Sequence, residues 1–336
     1  MERRVPSRNF ADKNFEDPKI MDEFYYTSGK KEAKKISLKD FEFIEFISEG
    51  AYAKVYETIR KKYRIRYAIK CLDNKQIQNS LILKQPFIER KVLLTTNHEN
   101  IIKMYHCFGV KSKFYFILEY AGYTLSKFYE IPKNFFKIKK HLRQIINALE
   151  YFRSLKIVHR DIKPKNILVD SKEDIKVIDF GSAKFLDTGH NAGCEQKTKG
   201  DRHTYTGTIA YMSPEVIDEK ESNTTAADLW GLGCTLYRIF VGERPFEGEN
   251  EEVIKKDIKK CNPSYPDYLP KELVDLVKGL IVLDPTKRLG YKSFDEIRSH
   301  AFFKMSNERL EEFIQHKHTI SQDKGTKQSK KPKDKS

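Results

Sequence analysis

From Phe41 to about residue 72, hydrophobic and polar positions alternate in the way that is typical of β-strands. The run Phe-Glu-Phe-Ile-Glu-Phe-Ile starts at Phe41 and leads into Gly50, a turn-forming residue. Similar runs recur and predict five strands, at residues 41–47, 52–58, 64–72, 101–107 and 114–119. Residues 82–96 carry apolar and charged positions at helical spacing. The first third of the chain therefore predicts a five-stranded antiparallel sheet with one inserted helix.

After Gly122 the apolar residues recur at steps of three and four, which indicates helices. One long amphipathic helix is predicted from Phe135, Ile138, Leu142, Ile145, Leu149 and Phe152. Further helices are predicted at 225–241, 251–260 and 271–283. A small β-rich part (41–121) and a larger, mainly helical part (122–303) together give the α+β class. Residues 1–40 and 304–336 are expected to be extensions, the first partly disordered and the second carrying a disordered lysine-rich tail.

Composition and charge exclude several classes of protein. The 336 residues are 39% hydrophobic and carry a formal net charge of +15. The excess is spread out, which favours a solvated basic surface over a nucleic-acid site. Six lysines among residues 321–336 would give only weak contact with an anionic membrane. No apolar run is long enough to span a bilayer, and no secretory signal is recognisable. The five cysteines have no metal-binding spacing, so we expect a cytoplasmic protein, with the nucleus as an alternative.

Two motifs with characteristic spacing predict a phosphoryl-transfer site. Asp161 and Asn166 belong to the stretch Val158-His159-Arg160-Asp161-Ile162-Lys163-Pro164-Lys165-Asn166, and Asp179-Phe180-Gly181 follows thirteen residues after Asn166. Asp161 can accept the proton of an incoming hydroxyl, while Asn166 and Asp179 offer oxygens to Mg²⁺ beside the phosphates of ATP. A third motif, Ala68-Ile69-Lys70, lies upstream and strengthens the assignment.

These motifs resemble those of the eukaryotic protein kinases over roughly residues 41–303. Arg288-Leu289-Gly290 and His300-Ala301-Phe302-Phe303 are similar to the end of the kinase domain in the AGC group. Within that group the chain is most similar to the phosphoinositide-dependent protein kinases, in the segments 67–70, 147–151, 181–184 and 282–284. The resemblance implies a two-lobed kinase fold, in which the inserted helix is the αC helix. It also implies transfer of the γ-phosphoryl group of ATP to serine or threonine in proteins.

The resemblance assigns a role to each residue of the nucleotide cleft. Lys70 would contact the α- and β-phosphates and pair with Glu89, and Lys163 would offset charge on the transferred γ-phosphate. The nucleotide would lie against Ile47, Ser48, Glu49, Gly50, Ala51, Tyr52, Ala53, Lys54, Val55, Ala68, Leu118, Glu119, Ala121 and Leu168. The family's glycine pattern G-x-G-x-x-G keeps only its middle member, Gly50, because Ser48 and Ala53 replace the other two. We therefore expect looser nucleotide binding.

The segment from Asp179 to Glu215 corresponds to the activation segment of the family. Phosphorylated Thr204 is expected to pair with Arg160 and Lys184, which would order this segment. The alternative is that Thr204 is an ordinary loop threonine. Lys163 and Thr208 favour serine or threonine acceptors over tyrosine.

The resemblance also implies a docking groove on the small lobe, formed by Ile77, Leu83, Pro86, Arg90 and Phe114. Its partners would be other protein kinases that carry hydrophobic-motif tails, because residues 304–336 contain no such motif of their own. The protein itself is expected to be a monomer. Gln78 departs from the apolar groove pattern, and Lys165 stands where a glutamate is usual.

Several alternatives remain open at this stage. A generic AGC kinase could take its docking tail from another protein, and a pseudokinase scaffold is suggested by the depleted glycine loop. Binding of nucleic acid through charge is a third possibility. The positions at which kinases that select arginine carry acids hold Thr124 and Arg238, so weak discrimination for basic peptides is predicted.

Overall fold

The computed structural model describes residues 26–27, 36–50, 53–73, 85–110, 113–186, 209–218 and 225–328. The small lobe is an antiparallel sheet with the strand order β1-β5-β6-β4-β3-β2. Its strands are β1 (Tyr26–Thr27), β2 (Phe41–Glu49), β3 (Ala53–Arg60), β4 (Ile65–Asp73), β5 (Met104–Val110) and β6 (Lys113–Glu119). The five predicted strands are confirmed as β2 to β6.

Strand β1 was not predicted, because two residues carry no periodic pattern. It is held by pairing with the edge strand β5, where Tyr26 lies opposite Cys107. Close to it, Ile36 is buried against the outer face of the sheet, in a cluster with Phe41 and Phe108. The N-terminal extension therefore contributes both a strand and core residues to the small lobe.

Helix α1 (Gln85–Thr95) lies within the predicted range 82–96, of which residues 82–84 fall outside the described part of the chain. Its buried residues are Pro86, Glu89, Val92 and Leu93. Burial of a glutamate beside aliphatic side chains requires a partner, since an unpaired charge is costly in a core. That partner is supplied by β4, as described below.

The large lobe is mainly helical, which confirms the two-lobed α+β fold. Its helices are α2 (Leu125–Phe128), α3 (Ile138–Ser154), α4 (Pro214–Ile217), α5 (Ala226–Val241), α6 (Glu251–Lys260), α7 (Lys271–Leu280), α8 (Asp295–Arg298), α9 (Ala301–Lys304) and α10 (Asn307–Gln328). Short strands line its upper surface: β7 (Tyr123–Thr124) pairs with β9 (Ile167–Val169), which pairs with β10 (Ile175–Val177). Strand β8 (Ile157–Val158) pairs with β11 (Lys184–Phe185). None of the described helices is long and apolar enough to cross a bilayer.

Two helices form the centre of this lobe. The predicted apolar stripe of α3 is buried, including Leu142, Ile145 and Leu149. Helix α5 is buried over nearly its whole length, with Trp230 fully enclosed. A helix that is apolar on all sides belongs in the interior of a large domain. The catalytic segments pack against these two helices.

Several predicted boundaries differ from the observed ones: β5 is Met104–Val110 and not 101–107, and α3 begins at Ile138 and not at Phe135. Helix α7 ends at Leu280 and not at residue 283, because the carbonyls of Val282 and Leu283 accept hydrogen bonds from Arg288. Residues 321–328, expected to be disordered, continue helix α10. The first turns of α10 are anchored by buried Leu310 and Phe313, and extending an existing helix is easier than starting one. Residues 329–336 lie outside the described part.

A buried histidine of α3 gives the fold a predicted acid sensitivity. His141 accepts a hydrogen bond at Nδ1 from the Tyr129 hydroxyl at 2.7 Å, and its Nε2 donates to the Glu173 carbonyl at 3.1 Å. Because the carbonyl only accepts, Nε2 carries the proton, and in the neutral imidazole Nδ1 is then the atom that accepts from Tyr129. Burial lowers the pKa of His141 to about 4, and burial also lowers the pKa of His106 to about 4.

The unfolded chain therefore takes up protons at pH values where the folded chain does not. Each neutral, buried histidine therefore stabilises the folded state, and this contribution is complete above pH ~6.5, the pKa of histidine in the unfolded chain. It is lost as the pH falls towards about 4, by up to ~3 kcal/mol per histidine. We expect urea unfolding across this range to show a falling free energy of unfolding. The His141→Gln variant should show a shallower fall, and a slope equal to that of the wild type would contradict the assignment.

Candidate active site

Lys70 stands at the centre of an ion-paired cluster between the lobes. It lies on β4, where its backbone is in register with Val55 on β3, and its side chain reaches towards α1. Its Nζ donates to Glu89 Oε1 and Oε2 at 2.7 and 2.8 Å and to Asp179 Oδ1 at 2.9 Å. Burial disfavours the Lys70 ammonium, but Asp179 and Glu89 outweigh burial and raise the pKa of Lys70. The predicted Lys70–Glu89 pair is therefore present, with burial raising the pKa of Glu89 and the Lys70 ammonium opposing that effect.

Asp179 follows β10 and turns sharply into the cleft. Its φ of 65° lies in the left-handed region, which aspartate tolerates better than most residues. Lys70 lowers the pKa of Asp179 to about 2, so the carboxylate is ionised at neutral pH. The next residue, Phe180, is fully buried with its ring 5.2 Å from that of His159 and 5.8 Å from that of Phe152. Packing of Phe180 thereby fixes the direction of the Asp179 side chain.

The second cluster surrounds Asp161 in the loop after β8. Lys163 Nζ donates to Asp161 Oδ2 at 2.7 Å. The Asn166 amide donates to the Asp161 carbonyl at 2.9 Å and to its Oδ2 at 2.8 Å. Burial raises the pKa of Asp161, and the neighbouring Lys163 opposes this effect. The carboxylate is thus held in one orientation by two donors.

Asp228, at the start of α5, anchors the backbone of this loop. Its Oδ2 accepts from the backbone N–H of His159 at 2.9 Å and its Oδ1 from that of Arg160 at 2.8 Å. Arg160 has a φ of 64°, a conformation that costs a non-glycine residue energy. A buried carboxylate that accepts both N–H groups offsets this strain and places Asp161 above it.

The residues predicted to contact nucleotide line the cleft between the sheet and this loop. Ala68 on β4 is in register with Leu118 on β6, and Leu168 on β9 lies on the opposite side, in register with Thr124 of β7. The β2–β3 hairpin closes with a hydrogen bond from Gly50 N–H to the Ala53 carbonyl at 2.8 Å. The hairpin therefore forms although two of the family's glycines are replaced. Ile47, Ser48, Glu49, Lys54, Val55, Glu119 and Ala121 belong to the same strands and linker, whereas Ala51 and Tyr52 lie outside the described residues.

The oxygen donors of the site suit a magnesium ion. The Asn166 amide nitrogen is used in hydrogen bonds, which leaves its carbonyl oxygen as the group available to a cation. The Asp179 side chain is 44% exposed and is an ionised carboxylate. Carboxylate and amide oxygens are hard ligands of the kind that Mg²⁺ prefers.

The regulatory and docking predictions fall partly outside the described chain. Five of the residues concerned lie outside the described residues: Thr204, Thr208, Ile77, Gln78 and Leu83. Arg160 Nε donates to the Ser182 carbonyl at 2.6 Å, and Lys184 lies nearby on β11. Phe114 has only 1% exposure and packs against Phe87 with ring centres 5.9 Å apart, so it lies in the core beneath the predicted groove. Arg90 is half-buried on α1.

One functional contact was not anticipated from the sequence. Lys176 of β10 forms an ion pair with Glu119 at 2.8 Å, joining the linker between the lobes to the strand that precedes Asp179. Glu119 also accepts from the backbone of Lys103 at 3.3 Å. No sequence signal identifies this pair, because the two residues are far apart in the chain and each occupies an ordinary strand position.

Comparison with known proteins agrees with this geometry. A family profile described as "Protein kinase domain" matches residues 41–303. The chain is 36% identical to "3-phosphoinositide-dependent protein kinase B" of Dictyostelium discoideum, over 80% of this chain and 29% of that protein. It is 33% identical to "3-phosphoinositide-dependent protein kinase 1" of Homo sapiens, over 79% of this chain and 47% of that protein.

A third relative, "Aurora kinase" of Candida glabrata, is 33% identical over 76% of this chain and 69% of that protein. The chain thus spans less than half the length of the two phosphoinositide-dependent relatives. The shared region is the one that contains both ion-paired clusters. This chain belongs to the protein kinase family.

Proposed function

We propose that the protein is an ATP-dependent serine/threonine protein kinase of the AGC type. The observation that carries this proposal is the arrangement of two charged clusters at one cleft, formed by Lys70, Glu89 and Asp179 and by Asp161, Lys163 and Asn166. Asp179 belongs to the first cluster, yet Lys163 of the second cluster also acts to lower its pKa, adding to the larger effect of Lys70 and opposing that of burial. The clusters therefore act on the same substrate atoms.

Asp161 supplies the group that receives the proton of the acceptor hydroxyl. As the hydroxyl oxygen bonds to the γ-phosphorus of ATP, the bond to the bridging oxygen breaks and ADP leaves. Lys163 holds positive charge beside the transferred group, where negative charge spreads over phosphate oxygens. Asn166 and Asp179 would hold magnesium, which when bound offsets the charge of the phosphates.

Lys70 positions the nucleotide. Its ammonium is kept charged by Asp179 and Glu89, so it is available to phosphate oxygens at neutral pH. Because Glu89 lies on α1, the position of this helix determines whether Lys70 is correctly placed. We propose that phosphorylation of Thr204 controls the activity. The phosphate would pair with Arg160 and Lys184 and so order the activation segment.

The finer proposal is that the substrates include other protein kinases, phosphorylated on their activation loops. Its support is the similarity to the phosphoinositide-dependent relatives and the placement of Arg90 on α1, the helix that carries Glu89. A tail docked at Ile77, Leu83 and Arg90 would hold α1 in place and so promote activity. We propose that the enzyme acts as a monomer in a reducing compartment, the cytoplasm or the nucleus.

The docking proposal predicts that phosphorylated hydrophobic-motif peptides raise kcat/KM several-fold towards a short Ser/Thr peptide. The Arg90→Ala variant should lose most of this stimulation while retaining its basal rate, since Arg90 is outside the cleft. Lys256→Ala, at an exposed lysine of α6, is the matched control and should respond like the wild type. Equal stimulation of all three proteins, or of none, would remove the docking proposal but leave the kinase activity.

A second candidate function, a pseudokinase scaffold, is favoured by one observation, the replacement of two glycines by Ser48 and Ala53. The closed β2–β3 hairpin and the complete set of charged residues weigh against it. Transfer of phosphate from ATP to a peptide, with Asp161→Asn as the inactive reference, separates the two functions.

A further inference from the structure

Lys165 places a positive charge beside the catalytic carboxylate. It lies in the 3-10 turn Pro164–Asn166, one residue before Asn166, whose side chain contacts Asp161. The Lys165 side chain is exposed, and no described residue forms an ion pair or hydrogen bond with it. Asp161 itself is paired with Lys163 at 2.7 Å. The loop therefore presents an uncompensated cation next to the site where the acceptor hydroxyl binds.

A second cation reaches the same loop from α5. This helix packs under the loop through Gly231, where an added Cβ would lie 2.9 Å from the Ile162 carbonyl, and through Thr235, whose hydroxyl donates to the same carbonyl at 3.4 Å. Arg238 follows Thr235 by three residues and so lies on the same face, about one turn further along. Ile162 directly follows Asp161, so the face of α5 that carries Arg238 is the face that packs against the catalytic loop.

Arg238 is oriented by the end of its own helix. Its guanidinium donates to the carbonyl of Gly242, the C-terminal cap of α5. It lies near Tyr211, on the turn that ends the activation segment, where its charge acts to lower the tyrosine pKa that burial raises to about 12. Arg238 therefore places a positive charge close to the turn that ends the activation segment.

One neighbouring carboxylate acts on Arg238, but it is shared with a second arginine. Glu247 pairs with Arg244 Nε at 3.1 Å, and both arginines act to lower its pKa, Arg244 more strongly than Arg238. On the other side of the loop, Thr124 is neutral and its hydroxyl accepts from Lys127 N–H at 3.3 Å to cap α2. Glu130, after the end of α2, is exposed, but it is accompanied by exposed Lys127.

We infer that the acceptor side of the cleft selects peptides with acidic or phosphorylated residues close to the target serine or threonine, through Lys165 and Arg238. This rests on the proposed kinase function and goes beyond the weak discrimination expected from Thr124 and Arg238 alone. Complementary charge at a binding surface sets specificity, and like charges placed together are penalised. An arginine-rich peptide would be repelled by these two cations, whereas a glutamate-rich peptide could form an ion pair with each of them.

The experiment compares kcat/KM for a set of threonine peptides that carry glutamate, alanine or arginine at each position flanking the acceptor. The wild type should prefer glutamate over arginine by roughly tenfold at the most sensitive positions, as two exposed ion pairs would allow. This ratio should shrink at high salt, because exposed charges are screened. Lys165→Glu/Arg238→Glu should reverse the preference, and Lys172→Glu, at an exposed lysine of the β9–β10 turn, should keep it.

Each outcome separates this inference from the proposed function. If the wild type phosphorylates arginine peptides as well as or better than glutamate peptides, the inference is wrong and the kinase function stands. A reversal by Lys172→Glu as large as that by the double variant would also overturn it, because the effect would then come from net charge. No transfer to any peptide, under conditions where a mixed protein substrate is also left unphosphorylated, would overturn both.

Discussion

Asp161→Asn is expected to lower the rate of phosphoryl transfer by roughly 10²–10⁴-fold, the range for loss of a positioned general base. The amide that replaces the carboxylate has nearly the same shape, so the loop should keep its fold. Its amide oxygen can take the place of Oδ2 and keep the hydrogen bonds from Lys163 and Asn166, but the amide cannot accept a proton from the substrate hydroxyl. The loss should therefore appear in kcat far more than in KM for ATP.

The measurement is steady-state transfer of phosphate from ATP to a threonine peptide, with the unfolding temperature of each protein measured in parallel. Asp267→Asn makes the same chemical change at an exposed aspartate before α7 and should keep the wild-type rate. A rate within tenfold of wild type for Asp161→Asn would show that Asp161 is not the base. Equal and negligible turnover by wild type and variant would instead support the scaffold function.

The small lobe shows what alternation in sequence can and cannot predict. Strands β2 to β6 follow from local patterns, and each pairs with a sequence neighbour or near neighbour, although β2 buries only Phe41. Strand β1 exists because Tyr26 pairs with Cys107, a contact that local pattern does not encode. For the C-terminal helix the prediction erred in the opposite direction, because a lysine-rich composition indicates disorder. Packing of Phe313 against Phe135 and Phe240 anchors a helix that continues to Gln328.

The active site was more predictable than the fold around it. Asp161, Asn166 and Asp179 are identified by spacing, because phosphoryl transfer requires carboxylate and amide groups at fixed offsets in two loops. Spacing does not reveal every contact that holds the loops. The Lys176–Glu119 pair is a consequence of three-dimensional packing. The packing of α5 under the catalytic loop, through Gly231 and Thr235, is likewise not visible in the sequence.

Replacing Arg288 is expected to have the largest effect on stability of any single change considered. Its side chain is fully buried and donates to Glu215 at 2.5 and 2.7 Å, to the Ala226 carbonyl at 2.8 Å and to the Val282 carbonyl at 2.8 Å. Its guanidinium also lies 5.2 Å from the centre of the Trp230 ring. This one residue therefore joins the segment after α7 to the starts of α4 and α5.

Arg288→Met preserves much of the volume but leaves the Glu215 carboxylate buried without a partner. Breaking a buried pair in this way costs ~3–5 kcal/mol, which for a domain of this size lowers the unfolding temperature by about 10 °C. Arg298→Met is the matched control, because its pair with Glu150 at 2.5 Å is partly exposed, with side-chain exposures of 29% and 48%, and should contribute ~1 kcal/mol. Replacing both members of the buried pair, in Arg288→Met/Glu215→Leu, should recover part of the loss, since no buried charge then remains. If Arg288→Met unfolds at the same temperature as Arg298→Met, the buried pair does not stabilise the large lobe as argued.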